Sequence, residues 1–222
     1  MLDDLRIERY ARHILLREVG GVGQDRILSS KVEIRGLGEA GCWATTYLAL
    51  AGVGRLRLCD PRPIPAGGLG PLLLAAAEGE PRDRAAAKAI GGLNLDVVVE
   101  VGGGAASAPG AWTADGRGES VRIRVAPSAP TSDPSATGAY FVATRDGRAV
   151  GGWEGGRVCE ACLEAALGSA PSGPSAAALA GSTAASEVLA AILQEAPRPR
   201  GLRIHRLGEP LPVGPCPHGD AA

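Results

Sequence analysis

Three observations predict an α/β fold for this 222-residue chain. First, residues 32–60 read as a short strand, a glycine-rich turn, a helix and a second strand. Second, Gly36, Gly38 and Gly41 keep the G-x-G-x-x-G spacing, and Asp60 follows about 20 residues later at the end of the second strand. Third, strands continue to alternate with helices through residue 101, which favours strands laid side by side with helical crossovers. The predicted architecture is a Rossmann-like, mostly parallel, doubly wound sheet with helices on both faces and a small antiparallel extension.

Each element has its own signal. Residues 4–18 recur as a helix through Leu5, Ile7, Tyr10, Ile14 and Leu15, and Gly20, Gly21 and Gly23 are expected to end it. Val32 and Ile34 alternate with polar residues, as in a half-buried strand. Residues 39–51 lack Pro, and Gly52 and Gly54 close the helix they form. Leu56 and Leu58 alternate again, and the Pro/Gly-rich stretch 61–71 reads as loop. An alanine-rich helix is expected over 82–90 and a third strand from Asp96 to Val101. After a Gly/Ala/Ser/Pro segment at 102–118, Val121–Val125 reads as a strand. Ala139–Thr144 and Arg148–Trp153 read as a hairpin around Asp146-Gly147. A low-complexity connection over 166–176, a helix from Ser182 to Gln194 and a strand at Leu202–Leu207 complete the chain. Residues 1–25 are expected to form an N-terminal helical arm and 26–222 a nucleotide-binding domain.

The glycine turn states its own chemistry. Gly36 permits the tight turn, Gly38 lets backbone approach a phosphate, and Gly41 lets the helix pack close to the strand. Amides at the helix start, at Glu39, Ala40 and Gly41, would face an anion, and Asp60 would hold a ribose. Net charge is −1, which gives no bulk electrostatic case for nucleic acid or an anionic membrane. No apolar run is read as long enough to span a membrane, and the acidic start lacks a signal-peptide core, so a cytoplasmic location is expected. Five cysteines are an odd count and not a secreted disulfide framework.

The segment Glu8-Arg9-Tyr10-Ala11-Arg12-His13-Ile14-Leu15-Leu16, the Gly-Gln at 23–24, the glycine turn and Ala51-Gly52-Val53-Gly54 resemble the ThiF/MoeB/HesA family. These proteins are the bacterial relatives of ubiquitin-activating enzymes. The resemblance implies an ATP-dependent adenylyltransferase, using Mg2+, that activates the C-terminus of a ubiquitin-like or sulfur-carrier protein. It places Arg12 at an arginine-finger position, often supplied across a homodimer, and Arg82 at the position of a catalytic lysine. It makes Gly36, Gly38, Glu39, Ala40, Gly41 and Asp60 the nucleotide-binding set.

The chain also departs from the family. The Asp-x-Asp after the second strand is Asp60-Pro61-Arg62, and the ATP-touching Ser-Asn-Leu-x-Arg-Gln is Gly67-Gly68-Leu69-Gly70-Pro71-Leu72. Arg keeps the charge of Lys at 82 but not its shape. The strand Val121–Val125 runs into Ala-Pro-Ser-Ala-Pro, where the family carries its magnesium-binding aspartate. Weakened adenylation follows, since such groups act together on charge in the transition state.

Cys159-Glu-Ala-Cys162 is a C-x-x-C knuckle, which in the family is half of a structural zinc site. Cys216 and His218 in the tail could complete four ligands for Zn2+, although their spacing is one residue short. A metal-free, reduced pair is the alternative. Two further readings stand beside the adenylyltransferase. One is a non-catalytic docking partner for a carrier or a modified peptide. The other is an NAD-dependent oxidoreductase, which the Arg-Tyr-x-Arg segment and the C-x-x-C oppose.

Overall fold

The computed structural model describes residues 2–102, 119–126, 139–146, 148–153, 165–168, 175–193, 201–204 and 211–212. Three short helices open the chain: α1 (Asp4–Arg9), α2 (Ala11–Ile14) and α3 (Gly20–Ser29). The unit β1 (Lys31–Arg35), α4 (Glu39–Ala51), β2 (Arg55–Cys59) follows. Next come α5 (Gly70–Leu73), α6 (Arg82–Leu93) and β3 (Val98–Val101). The later elements are β4 (Glu119–Ala126), β5 (Ala139–Arg145), β6 (Arg148–Trp153), α7 (Ala176–Leu193), β7 (Gly201–Ile204) and β8 (Leu211–Pro212).

The strands form one sheet in the order β3-β2-β1-β4-β5-β6-β7-β8. The α/β, Rossmann-like class holds, but the antiparallel share is larger than the small extension expected. Only β1–β2 and β2–β3 are parallel, and every pairing from β1–β4 onward is antiparallel. Strands β1, β2 and β3 advance in one direction, so right-handed crossovers place α4 and α6 on the same face. Helix α7 joins that face, packing on α4 and on β4, β5 and β6. Val32, Ile34, Leu56 and Leu58 are buried beneath these helices. Opposite them, β1–β3 carry Lys31 and the ion-paired Glu33, Arg35, Arg55, Arg57 and Glu100, with Arg35–Glu33 at 2.8 Å. The helical turn at 165–168 reaches the second face at β6, where Arg148 donates to the Leu167 carbonyl at 3.3 Å.

Helix boundaries depart from the pattern reading in two places. The N-terminal helix breaks at Tyr10, and Gly20–Gly23 open α3 rather than ending a helix. Gly20 makes the reversal with φ +59, and a Cβ at Gly23 would meet Leu193 at 2.8 Å. Helix α7 starts at Ala176, within the stretch read as low complexity. It is also long and apolar enough to cross a membrane by length and composition, against the expectation that no run qualifies. Its buried residues, among them Ala180, Ala184 and Val188, instead pack in the core.

The arm is anchored at the C-terminal end of α4. Tyr10 is 1% exposed, and its hydroxyl donates to Asp96 Oδ2 at 3.1 Å. Asn94 Nδ2 donates to the Tyr10 hydroxyl at 3.0 Å and to the Ala49 carbonyl at 2.9 Å. Arg6 and Arg9 close on Asp96 at 3.1 and 2.8 Å. Gly52, with φ +86, leaves room for this ring, since a Cβ there would lie 2.5 Å from the Tyr10 hydroxyl.

Candidate nucleotide cradle

The predicted turn forms between β1 and α4. Gly36 has φ +96, in the left-handed region that glycine tolerates, and Gly38 is the extended N-cap of α4. The Gly36 amide donates to the Cys59 carbonyl at 3.2 Å. The amides of Gly38, Glu39, Ala40 and Gly41 have no hydrogen-bond partner among the described residues. Such a helix start is an anion site by its free N–H groups and its dipole.

Asp60 is fully buried at the end of β2 and faces this turn. Its Oδ2 accepts the Leu37 amide at 2.7 Å. Arg62 grips both oxygens, with Nε to Oδ1 at 2.8 Å and a terminal nitrogen to Oδ2 at 2.7 Å. The Arg62 amide adds a bond to Oδ1 at 3.2 Å. Arg82 stands 3.7 Å from Oδ2 and donates from Nε to the Pro63 carbonyl at 3.1 Å. Burial alone would raise the Asp60 carboxyl, but the Arg62 and Leu37 hydrogen bonds and the charges of Arg62 and Arg82 hold it below the usual carboxylate range. Asp83 closes the network by accepting the Asp60 amide at 3.2 Å.

The segment aligned with the family's ATP-touching side chains is apolar here and packs on the head of α4. Leu72 and Leu73 are buried, and the Gly70 amide donates to Glu39 Oε2 at 2.8 Å. Trp43 Nε1 donates to Glu39 Oε1 at 3.2 Å. Gly70, with φ +46, is required by this approach, because a Cβ there would lie 2.7 Å from Cys42 Cβ. Glu39 therefore fastens a loop and puts a carboxylate on the first turn of the helix, where a phosphate would meet repulsion.

Sequence reasoning brings Gly36, Gly38, Glu39, Ala40, Gly41, Asp60 and Arg82 to one place, and the structure groups them there. Arg12 is elsewhere. It is exposed on α2, beside the arm's anchor at the far end of α4. A 13-residue helix is about 20 Å long, so Arg12 does not reach its own chain's turn. The expectation about β4 is also corrected. Lys31 pairs with Ala126 and Arg35 with Arg122, so β4 runs antiparallel to β1 and exits at the edge away from the turn. Ala126, directly after Val125, therefore lies at the end of β1 opposite the turn. Arg62 and Asp83 were not assigned roles from sequence, although the D-x-R spacing was a readable signal for the first. Cys42 is buried as expected, while Cys59 is only partly so, and burial pushes its thiol up. Cys159, Cys162, Cys216 and His218 lie outside the described residues. Among the described residues no cluster of three or more metal-ligating side chains occurs. With Glu39 on the first turn of α4 and no side-chain donor in Gly67–Leu72, the described residues at this turn do not fit a triphosphate.

Comparisons with known proteins agree with the geometry of the βαβ unit. Residues 10–113 match the ThiF family. The chain is 41% identical over 101 residues to the SAMP-activating enzyme E1 of Haloferax volcanii, covering 45% of this chain and 37% of that protein. It is 49% identical over 59 residues to the molybdopterin-synthase adenylyltransferase of Escherichia coli, covering 27% and 24%. The chain thus spans well under half the length of these curated relatives. Among solved structures, PaaA superposes with a TM-score of 0.55 at 20% identity, over 87% of this chain and 76% of PaaA. E. coli MccB with succinimide gives 0.56 at 15% identity, over 83% and 63%. At these identities the likeness concerns the fold. The likeness to the ThiF family thus runs over residues 10–113, from the Tyr10 anchor across the glycine turn.

Proposed function

We propose that this protein is a ThiF-like docking partner for a ubiquitin-like carrier, a sulfur carrier or a peptide substrate, with adenylation weakened or lost. One observation carries this reading. The segment Gly67–Leu72, where the resemblance expects ATP-binding side chains, holds only Gly, Leu and Pro and is fastened to α4 by the bond from the Gly70 amide to Glu39. No side chain in it can donate to a phosphate. Removing several groups that stabilise one transition state costs orders of magnitude in rate. The relatives bear the names of activating enzymes and adenylyltransferases, which supports a carrier-type partner.

Calorimetry with candidate carrier proteins or peptides tests the reading. Binding is expected with equal affinity in the presence and absence of ATP and magnesium. A partner that binds only with Mg-ATP, or that releases pyrophosphate on mixing, would overturn it. A structural Zn2+ at Cys159, Cys162, Cys216 and His218 belongs to the same proposal. Metal analysis of untagged protein should give close to one zinc per chain, and less than about 0.2 would reject the site.

A further inference from the structure

We propose that Arg62 is an internal plug of the ribose position, so that the cradle is closed by one side chain and not dismantled. The inference deepens the reading above and rests on it for the claim that the turn descends from a nucleotide site. An ionised carboxylate offers about four acceptor sites. Asp60 already meets four donors: the amides of Leu37 and Arg62, and two nitrogens of the Arg62 guanidinium. A ribose diol also needs two of these sites, and the guanidinium holds two, one on each oxygen. Arg82 at 3.7 Å does not compete for them by hydrogen bonding. The remaining cradle keeps its shape, with Gly36 in its left-handed turn and the α4 amides without partners among the described residues. Taking away the guanidinium would free two acceptor positions beside an anion-binding helix start. The ligand class is therefore a nucleoside monophosphate, whose small charge tolerates Glu39 better than a triphosphate does.

AMP is the probe, titrated by calorimetry into the full chain. The wild type should show no saturation up to about 1 mM, and Arg62→Ala should bind at least about tenfold tighter, the scale of a charge-assisted bond pair. Asp60→Asn in the Arg62→Ala background should abolish the gain. Equal AMP affinity in wild type and a folded Arg62→Ala variant would overturn the proposal. Should Arg62→Ala fail to fold, Arg62→Lys, which releases one oxygen, should give a smaller gain, and no gain there would overturn it as well. The two readings separate by pyrophosphate exchange. AMP binding by Arg62→Ala without exchange supports both, and exchange by the wild type sinks the docking reading whatever AMP does.

Discussion

At the scale of single residues, the structure turns on Asp60. A buried carboxylate between two guanidiniums stabilises only while all partners remain, since removing one leaves uncompensated charge. Asp60→Asn should cost about 3–5 kcal/mol of unfolding free energy in urea titration; a loss under about 1 kcal/mol would contradict this account of the network. The pH dependence has a definite sign. Asp60 and Asp96 are both held below the usual range, each against burial, the first chiefly by Arg62 and the second chiefly by Arg6 and Tyr10. Their stabilisation is present above the unfolded value of about 3.9 and is lost as pH falls through the lower folded values. Urea midpoints should therefore stay level from neutrality to about pH 5 and fall below it, with a shallower fall in Asp60→Asn. Asp60 was legible in the sequence as an acid at a fixed distance from the glycines. Its occupation by Arg62 was not, because spacing gives proximity but not whether a long side chain folds back or points to solvent.

At the scale of elements, the βαβ unit was readable because local signals agree there: alternating strands, glycine at both ends of α4, and no proline between. The direction of β4 was not readable. Val121–Val125 has the same pattern whether it runs parallel or antiparallel, and direction is decided by partners far away in sequence. Packing between α4 and α7 gives a sharp test. A Cβ at Gly181 would fall 2.3 Å from the Ala40 carbonyl oxygen and 2.8 Å from Trp43 Cβ, beside the turn. Gly181→Ala should destabilise by about 1–3 kcal/mol through backbone displacement. Gly91 lies within α6 with nothing in 4 Å of its Cβ position, so Gly91→Ala should stabilise by about 0.5–1 kcal/mol. Thermal melts of the two variants should move in opposite directions, and a shared direction would reject this packing.

At the scale of the whole molecule, an anchored arm and a helix layer on the sheet flank the glycine turn, while the segment beyond β2 packs on the head of α4. Tyr10→Phe removes a buried hydroxyl that serves Asp96 and Asn94, and should cost about 1–3 kcal/mol with faster proteolysis within residues 1–19. Unchanged cleavage there would mean that the arm is held by something else. The arm's sequence carried the resemblance, yet its packing in this chain is visible only in the fold, where Tyr10 fills the space above Gly52. The most direct test of the central claim is ATP–pyrophosphate exchange by the full chain with magnesium and a candidate carrier. The account predicts exchange no faster than the background without protein; robust exchange dependent on the carrier would contradict it.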